Sequence, residues 1–149
     1  MADGRDACTK DSFQAPLVKD LLARARVVKL SADEAKAIDR MLGRVSRSLE
    51  DFCRCYARDF GWDAVCVTRA EKGCVLLVGE DYVDARGYSI HVADAVGAGD
   101  AFAAAFVHGL GMGWPPADIA DFSNRLAAVV ASKPGAIPPW TLEEVRALR

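Results

Sequence analysis

A pair of glycines between an apolar run and an alanine-rich helix, "VADAVGAGDAFAAAF" at residues 92–106, constrains this chain more than any other stretch. A plain turn needs one glycine at most. Here Gly97, Ala98 and Gly99 are followed at once by Asp100 and a helix. Amides that open a helix lack intrahelical partners, and with the helix dipole they make a place for an anion. Glycine lets such a backbone approach a phosphate closely. Asp100 has two readings: it complements the positive helix end, or it is a base facing a phosphoryl acceptor. The stretch is not G-x-G-x-x-G, so it is no dinucleotide fingerprint.

The rest of the pattern surrounds this loop with alternating elements. Residues 1–14 read as irregular. "PLVKDLLARAR" (16–26) repeats leucines at helical spacing, with Pro16 in the first turn. "VVKL" (27–30) reads as a buried strand, and "SADEAKAIDRML" (31–42) as a helix opened by a Ser31–Glu34 capping box. A further helix spans 46–60 and stops at Gly61. Strands are expected at 63–69 and 73–79, and two short ones within 82–92 around Gly87. Helices are expected at 100–110, 116–133 and 141–148, the last capped by Thr141. Phe102 and Phe106, four apart, face the sheet. This order predicts an α/β fold, a sheet with helices on both faces and some antiparallel pairing.

Size and charge narrow the function classes. The chain has 149 residues and a net charge of -2, which suits one domain, 1–149. Its 19 Lys and Arg are scattered, so no nucleic-acid face is expected. No long apolar run suggests a membrane span, and the polar start "MADGRDACTKDSF" does not read as a secretory signal. Cys8, Cys53, Cys55, Cys66 and Cys74 form no paired CxxC, so they read as reduced thiols, as in cytoplasmic proteins. Cys66 and Cys74 lie in apolar runs as small hydrophobes.

"DAVGAGDAFAAAFVHGL" resembles the signature of the ribokinase-like (PfkB) carbohydrate kinases, Asp-Thr-x-Gly-Ala-Gly-Asp-x-Phe. "VVKLSADEA" resembles the family's Asn-x-x-Glu element in the Ser-containing form of fructokinase-like members. "VTRAEKG" resembles its Thr-x-Gly-x-x-Gly turn, "GYSIHVADAVGAGDAF" the lead-in to the signature, and "SNRLAAVVASKPGAIP" its adenine-side helix and loop. These blocks come in family order over roughly residues 16–139. The resemblance implies a three-layer α-β-α fold, the C-terminal half of a ribokinase-like protein, and an ATP-dependent kinase acting on a sugar hydroxymethyl group. Asp100 matches the catalytic base, and the amides of Gly97, Ala98 and Gly99 match the anion hole. Thr68 and Gly73 match positions near the ATP phosphates, and Asn124 one beside the adenine. Glu34 matches the acidic residue linked to Mg2+ through water. Carbonyls of Asp94, Val96, Ala131 and Gly135 match a K+ site of potassium-activated members. Alternatives stay open: Thr68 ends a strand, Asn124 is a helix-surface amide, Glu34 only completes its capping box. His91 and His108 match no family role.

The sequence also departs from the family. Ala95 replaces a Thr beside the anion hole, Ser31 replaces Asn, and Ala70 replaces the first Gly of the phosphate turn. If that position has φ > 0, alanine there costs about 1 kcal/mol. Family members are about twice this length. The part that supplies sugar contacts and the β-sheet lid is therefore expected to be absent, leaving an open sheet edge. That edge calls for self-association or a complementing chain. Three readings follow: a sugar kinase or its catalytic half, a nucleotide-binding or assembly module without turnover, and a truncated kinase fragment.

Overall fold

The computed structural model describes the backbone of residues 6–148 and the side chains of residues 15–148. Strands form where β-branched and apolar residues run together: β1 (Val27–Ser31), β2 (Ala64–Thr68), β3 (Cys74–Val78) and β4 (Asp81–Ala85). They form one sheet in the order β1-β2-β3-β4. β1 runs parallel to β2, with Lys29 opposite Cys66, and β2–β3 and β3–β4 are antiparallel. The parallel pair needs a crossover, which is supplied by α2 (Ala32–Met41) and α3 (Leu49–Phe60). Both begin at serine caps: Ser31 makes a full capping box with Glu34, and the Ser48 hydroxyl accepts the Asp51 amide.

Strand alternation sends side chains to two opposite layers. Val28, Val65, Val67, Val75 and Leu77 pack with Leu22 of α1 (Asp6–Arg24) and with Ile38, Phe52 and Tyr56 of α2 and α3. On the other face Ala64, Cys66, Cys74 and Leu76 meet Phe102 and Phe106 of α4 (Ala98–Gly111) and Ile119 and Ala120 of α5 (Pro116–Ala131). The product is the expected three-layer α-β-α arrangement. The short α6 (Leu142–Ala147) buries Val145 among Leu126, Val129 and Val130 of α5.

Two expectations need correction. The first helix begins at Asp6, so Pro16 lies in its interior and most of the stretch expected to be irregular is helical. Asp6–Ala15 holds no glycine and, apart from Thr9, no β-branched residue, so little in it opposes a helix. Residues 1–5 and the Cys8 side chain lie outside the described residues. Second, no strand follows Gly87; residues 86–97 have no regular pairing. The amides of Ala93 and Asp94 bond the Ala131 carbonyl at the end of α5 instead of a strand.

Candidate active site

A cavity of about 580 Å3 opens over the α4–α5 face of the sheet. Its walls come from four places: the β2–β3 turn, residues 87–95, the first turn of α4, and one side of α5. Thr68, Gly73, Ala98, Gly99, Asn124 and Ala131 all line it. Gly97, the α4 N-cap, and Asp100, in its first turn, flank this wall in the chain.

The α4 wall is bare backbone. Gly97 has φ 84, and a Cβ there would stand 1.9 Å from the Ala136 carbonyl oxygen. Only glycine allows the 135–137 loop to cross so closely. No side chain caps the helix, so its first amides lack a side-chain acceptor. Asp100 is solvent-exposed and makes no ion pair among the described residues. Its charge is favoured by the positive helix end.

The opposite wall is a tight turn, Ala70–Lys72, closed by the Arg69 amide bonding the Gly73 carbonyl at 2.7 Å. Ala70 has φ 52, and it is the one non-glycine residue with positive φ among the described residues. The position that resembles a family glycine does therefore need a left-handed backbone, and alanine there costs roughly 1–2 kcal/mol. Gly73 and Gly87 fasten the turn: a Cβ on Gly73 would meet the Ala85 oxygen at 2.2 Å, and one on Gly87 the Glu71 oxygen at 2.3 Å. Arg69 holds the turn from behind, pairing with Asp84 and donating to the carbonyls of Cys74 and Ala85. The Thr68 hydroxyl donates to the Leu30 carbonyl at 3.3 Å, which ties the cavity wall to β1.

Asn124 is buried, not a helix-surface amide. It is 7% exposed and donates to the Arg86 carbonyl, holding residues 86–90 against the cavity. Behind it lie Cys66 and Cys74. The neighbouring Cys74 thiol together with burial pushes the Cys66 thiol well above its ordinary value.

The remaining predicted residues sit around this centre. Glu34 accepts the Ser31 amide at 2.6 Å through Oε2, which holds its carboxyl below the usual range. Asp94 accepts the amides of Val96 at 2.9 Å and Gly135 at 3.2 Å, and its own amide bonds the Ala131 carbonyl. The four residues proposed for K+ are thus brought together, but the Ala131 oxygen already accepts two amides.

The sequence did not single out Arg69 or Gly87. An isolated glycine in a strand-like run marks a close backbone approach, and that signal was available at Gly87. Tyr88 was also missed. Its hydroxyl bonds Asp121, the Arg125 guanidinium lies 4.7 Å from its ring centre, and burial pushes its pKa up to about 12.

Residues 4–142 match the sequence profile of the pfkB family carbohydrate kinases. A protein of Pyrococcus horikoshii, described no more closely than as a sugar kinase, is 38% identical over 72 residues, or 47% of this chain and 23% of that one. The solved 2-dehydro-3-deoxygluconokinase of Thermotoga maritima superposes with TM-score 0.77 at 21% identity, covering 92% of this chain and 45% of that one. Phosphofructokinase-2 of Escherichia coli, solved with potassium, gives 0.74 at 15% identity, covering 88% and 43%. The chain thus spans less than half the length of these relatives. The matched profile, with a fold shared with solved sugar kinases, places this chain in the pfkB family of carbohydrate kinases.

Proposed function

We propose that this chain carries the nucleotide-binding and catalytic half of an ATP-dependent carbohydrate kinase. The supporting observation is convergence: Thr68, Gly73, Gly99 and Asn124, from separate sequence blocks, line one cavity, with Asp100 at its α4 end. In this reading Asn124 lies on the adenine side and Thr68 and Gly73 near the phosphates. Asp100 takes the proton of a sugar hydroxymethyl group as its oxygen attacks the γ-phosphorus. The bond from that phosphorus to the ADP oxygen breaks, and ADP leaves with the electron pair. The amides of Gly97, Ala98 and Gly99 take the charge that builds on the transferred group. Such transfer rests on positioning and charge stabilisation more than on covalent help.

Metal ions fit this site in a limited way. Among the described residues no three His, Cys, Asp or Glu side chains gather as a metal site. Mg2+ would therefore be held by nucleotide phosphates and water, with Glu34 as the acidic partner in this chain. When bound, Mg2+ neutralises phosphate charge. Asp94, Val96 and Gly135 are the proposed K+ contacts, with the Ala131 oxygen already shared between two amides. The free thiols Cys53, Cys55, Cys66 and Cys74 support a reducing, cytoplasmic setting.

The sugar side calls for more polypeptide. β1 ends the sheet, and no described strand pairs with its outer edge. We assign that edge to a complementing chain or a second copy of this one. A second reading, a nucleotide-binding module without turnover, draws on the strained Ala70 and on Ala95 in place of a hydroxyl.

The test is ATP titration by calorimetry with Mg2+ and K+, with and without fructose or ribose, followed for ADP release. Sugar-dependent ADP supports the kinase. Binding without ADP supports the second reading, and no binding overturns both. Asp100→Ala should lower turnover by about 10²–10⁴-fold while leaving ATP affinity nearly intact.

A further inference from the structure

Arg69 does not line the cavity, yet it is tied to a wall that does. The β2–β3 turn presents Thr68, Ala70, Glu71 and Gly73 to the cavity. Ala70, Glu71 and Lys72 are exposed, so the turn has no core of its own. Its shape is also one that alanine resists, because a Cβ crowds the backbone at φ 52. A residue in such a region persists where its surroundings over-determine it.

The Arg69 side chain supplies much of that surrounding. Its Nη1 and Nη2 meet the two carboxylate oxygens of Asp84 on β4. Nη2 also donates to the carbonyls of Cys74 and Ala85, each at 3.3 Å. Cys74 and Ala85 stand opposite each other at the turn end of the β3–β4 ladder. The Ala85 oxygen is the same atom that a Cβ on Gly73 would meet at 2.2 Å. One planar group therefore joins the end of β2, the start of β3 and the end of β4. The amide of the same residue closes the turn on the Gly73 carbonyl. Arg69 Nε is buried and has no hydrogen-bond partner, which costs stability. The other two nitrogens thus set where the side chain sits.

We propose that Arg69 is a positioning residue for the nucleotide phosphates: clamped to Asp84, Cys74 and Ala85, it holds the alanine-containing turn in the left-handed form that faces the cavity. This rests on the nucleotide-binding reading above. A glycine takes a left-handed backbone without strain, so the clamp does here what a glycine in place of Ala70 would do by itself. A guanidinium suits the task and an ammonium does not, because a carboxylate and two carbonyls need donors in fixed directions.

The test titrates ATP and adenosine by calorimetry against wild type, Arg69→Met, Arg69→Lys, Asp84→Ala, Ala70→Gly and the double variant Arg69→Met with Ala70→Gly. Arg69→Met should weaken ATP by about tenfold and leave adenosine unchanged. Unchanged adenosine affinity also shows that the variant is folded. Arg69→Lys should recover little of the loss. With Ala70→Gly already present, Arg69→Met should cost less than about threefold. Asp84→Ala should also weaken ATP, whereas an arginine that touched phosphate directly would bind it more tightly once Asp84 is gone. ATP affinity unchanged by Arg69→Met overturns the proposal. So does an equal loss for ATP and adenosine, an equal loss with and without Ala70→Gly, or tighter ATP binding in Asp84→Ala. Wild type that binds no ATP overturns the nucleotide reading, and hydrogen exchange at the Arg69 amide then decides the clamp. Arg69→Met should speed that exchange by about tenfold, and should not do so when Ala70→Gly is present. Unchanged exchange overturns the clamp as well.

Discussion

The two faces of the sheet are built from different materials. Toward α1–α3, large aromatic side chains stack: Phe52 on Tyr56 with centroids 4.3 Å apart, and Tyr56 near Phe60 and Trp62. Their polar ends are satisfied, the Tyr56 hydroxyl by Asp39 and the Trp62 indole by the Leu22 carbonyl. Toward α4–α6, alanines and glycines make up most of α4, and a cavity remains between α4, α5 and the sheet. Dense packing stabilises and small residues leave room. The difference teaches that stability is concentrated on one side of the sheet and ligand space on the other.

The division can be broken first at its strong side. Phe52 is 1% exposed, so Phe52→Ala should remove about 3–5 kcal/mol from urea unfolding. ATP affinity of the folded protein should hold, because the stack lies across the sheet from the cavity. A parallel loss of affinity would show that the two faces are coupled. Ala70→Gly probes the weak side. It relieves the left-handed backbone but frees the unfolded chain, so unfolding free energy should rise by no more than about 1 kcal/mol. A fall would mean the turn does not rest at φ 52.

Glu34 sharpens the comparison least, through pH. Its folded value is lowered, chiefly by the Ser31 amide. Its contribution to stability is therefore present above its unfolded value and is lost as pH falls through the folded one. Glu34→Gln should flatten the acid limb of the urea midpoint profile, and an unchanged slope would remove the cap from the account. Its effect near neutral pH should be a few tenths of a kcal/mol.

What was legible in the sequence was mostly local. Ser31 and Thr141 cap helices because a hydroxyl needs only the next turn's amide, so both could be read directly, whereas the helix expected from residue 46 begins at Leu49 behind the Ser48 cap. β2 and β3 fell within a residue of their expected ends because buried strands are apolar throughout. The candidate site was legible as five ordered blocks; that four of them line one cavity, and that the Ser31–Glu34 block lines none of it, is a tertiary fact. Residues 88–92 look strand-like, yet they pair with no described strand, and Tyr88, Ser89, Ile90 and Val92 line the cavity instead. Asn124 read equally well as a surface amide, and only packing shows it buried beneath Arg86.

The sheet order also bears on how the molecule assembles. β2, β3 and β4 form a meander whose connections close short loops, so little chain entropy opposes their pairing. β1 reaches β2 only across the whole of α2 and α3, a far less local contact that forms late when local contacts lead. The strand that closes last in the chain's own folding is therefore an edge strand, with no described strand on its outer side. Docking of further polypeptide there would be continuous with the final step of folding rather than an event that follows it.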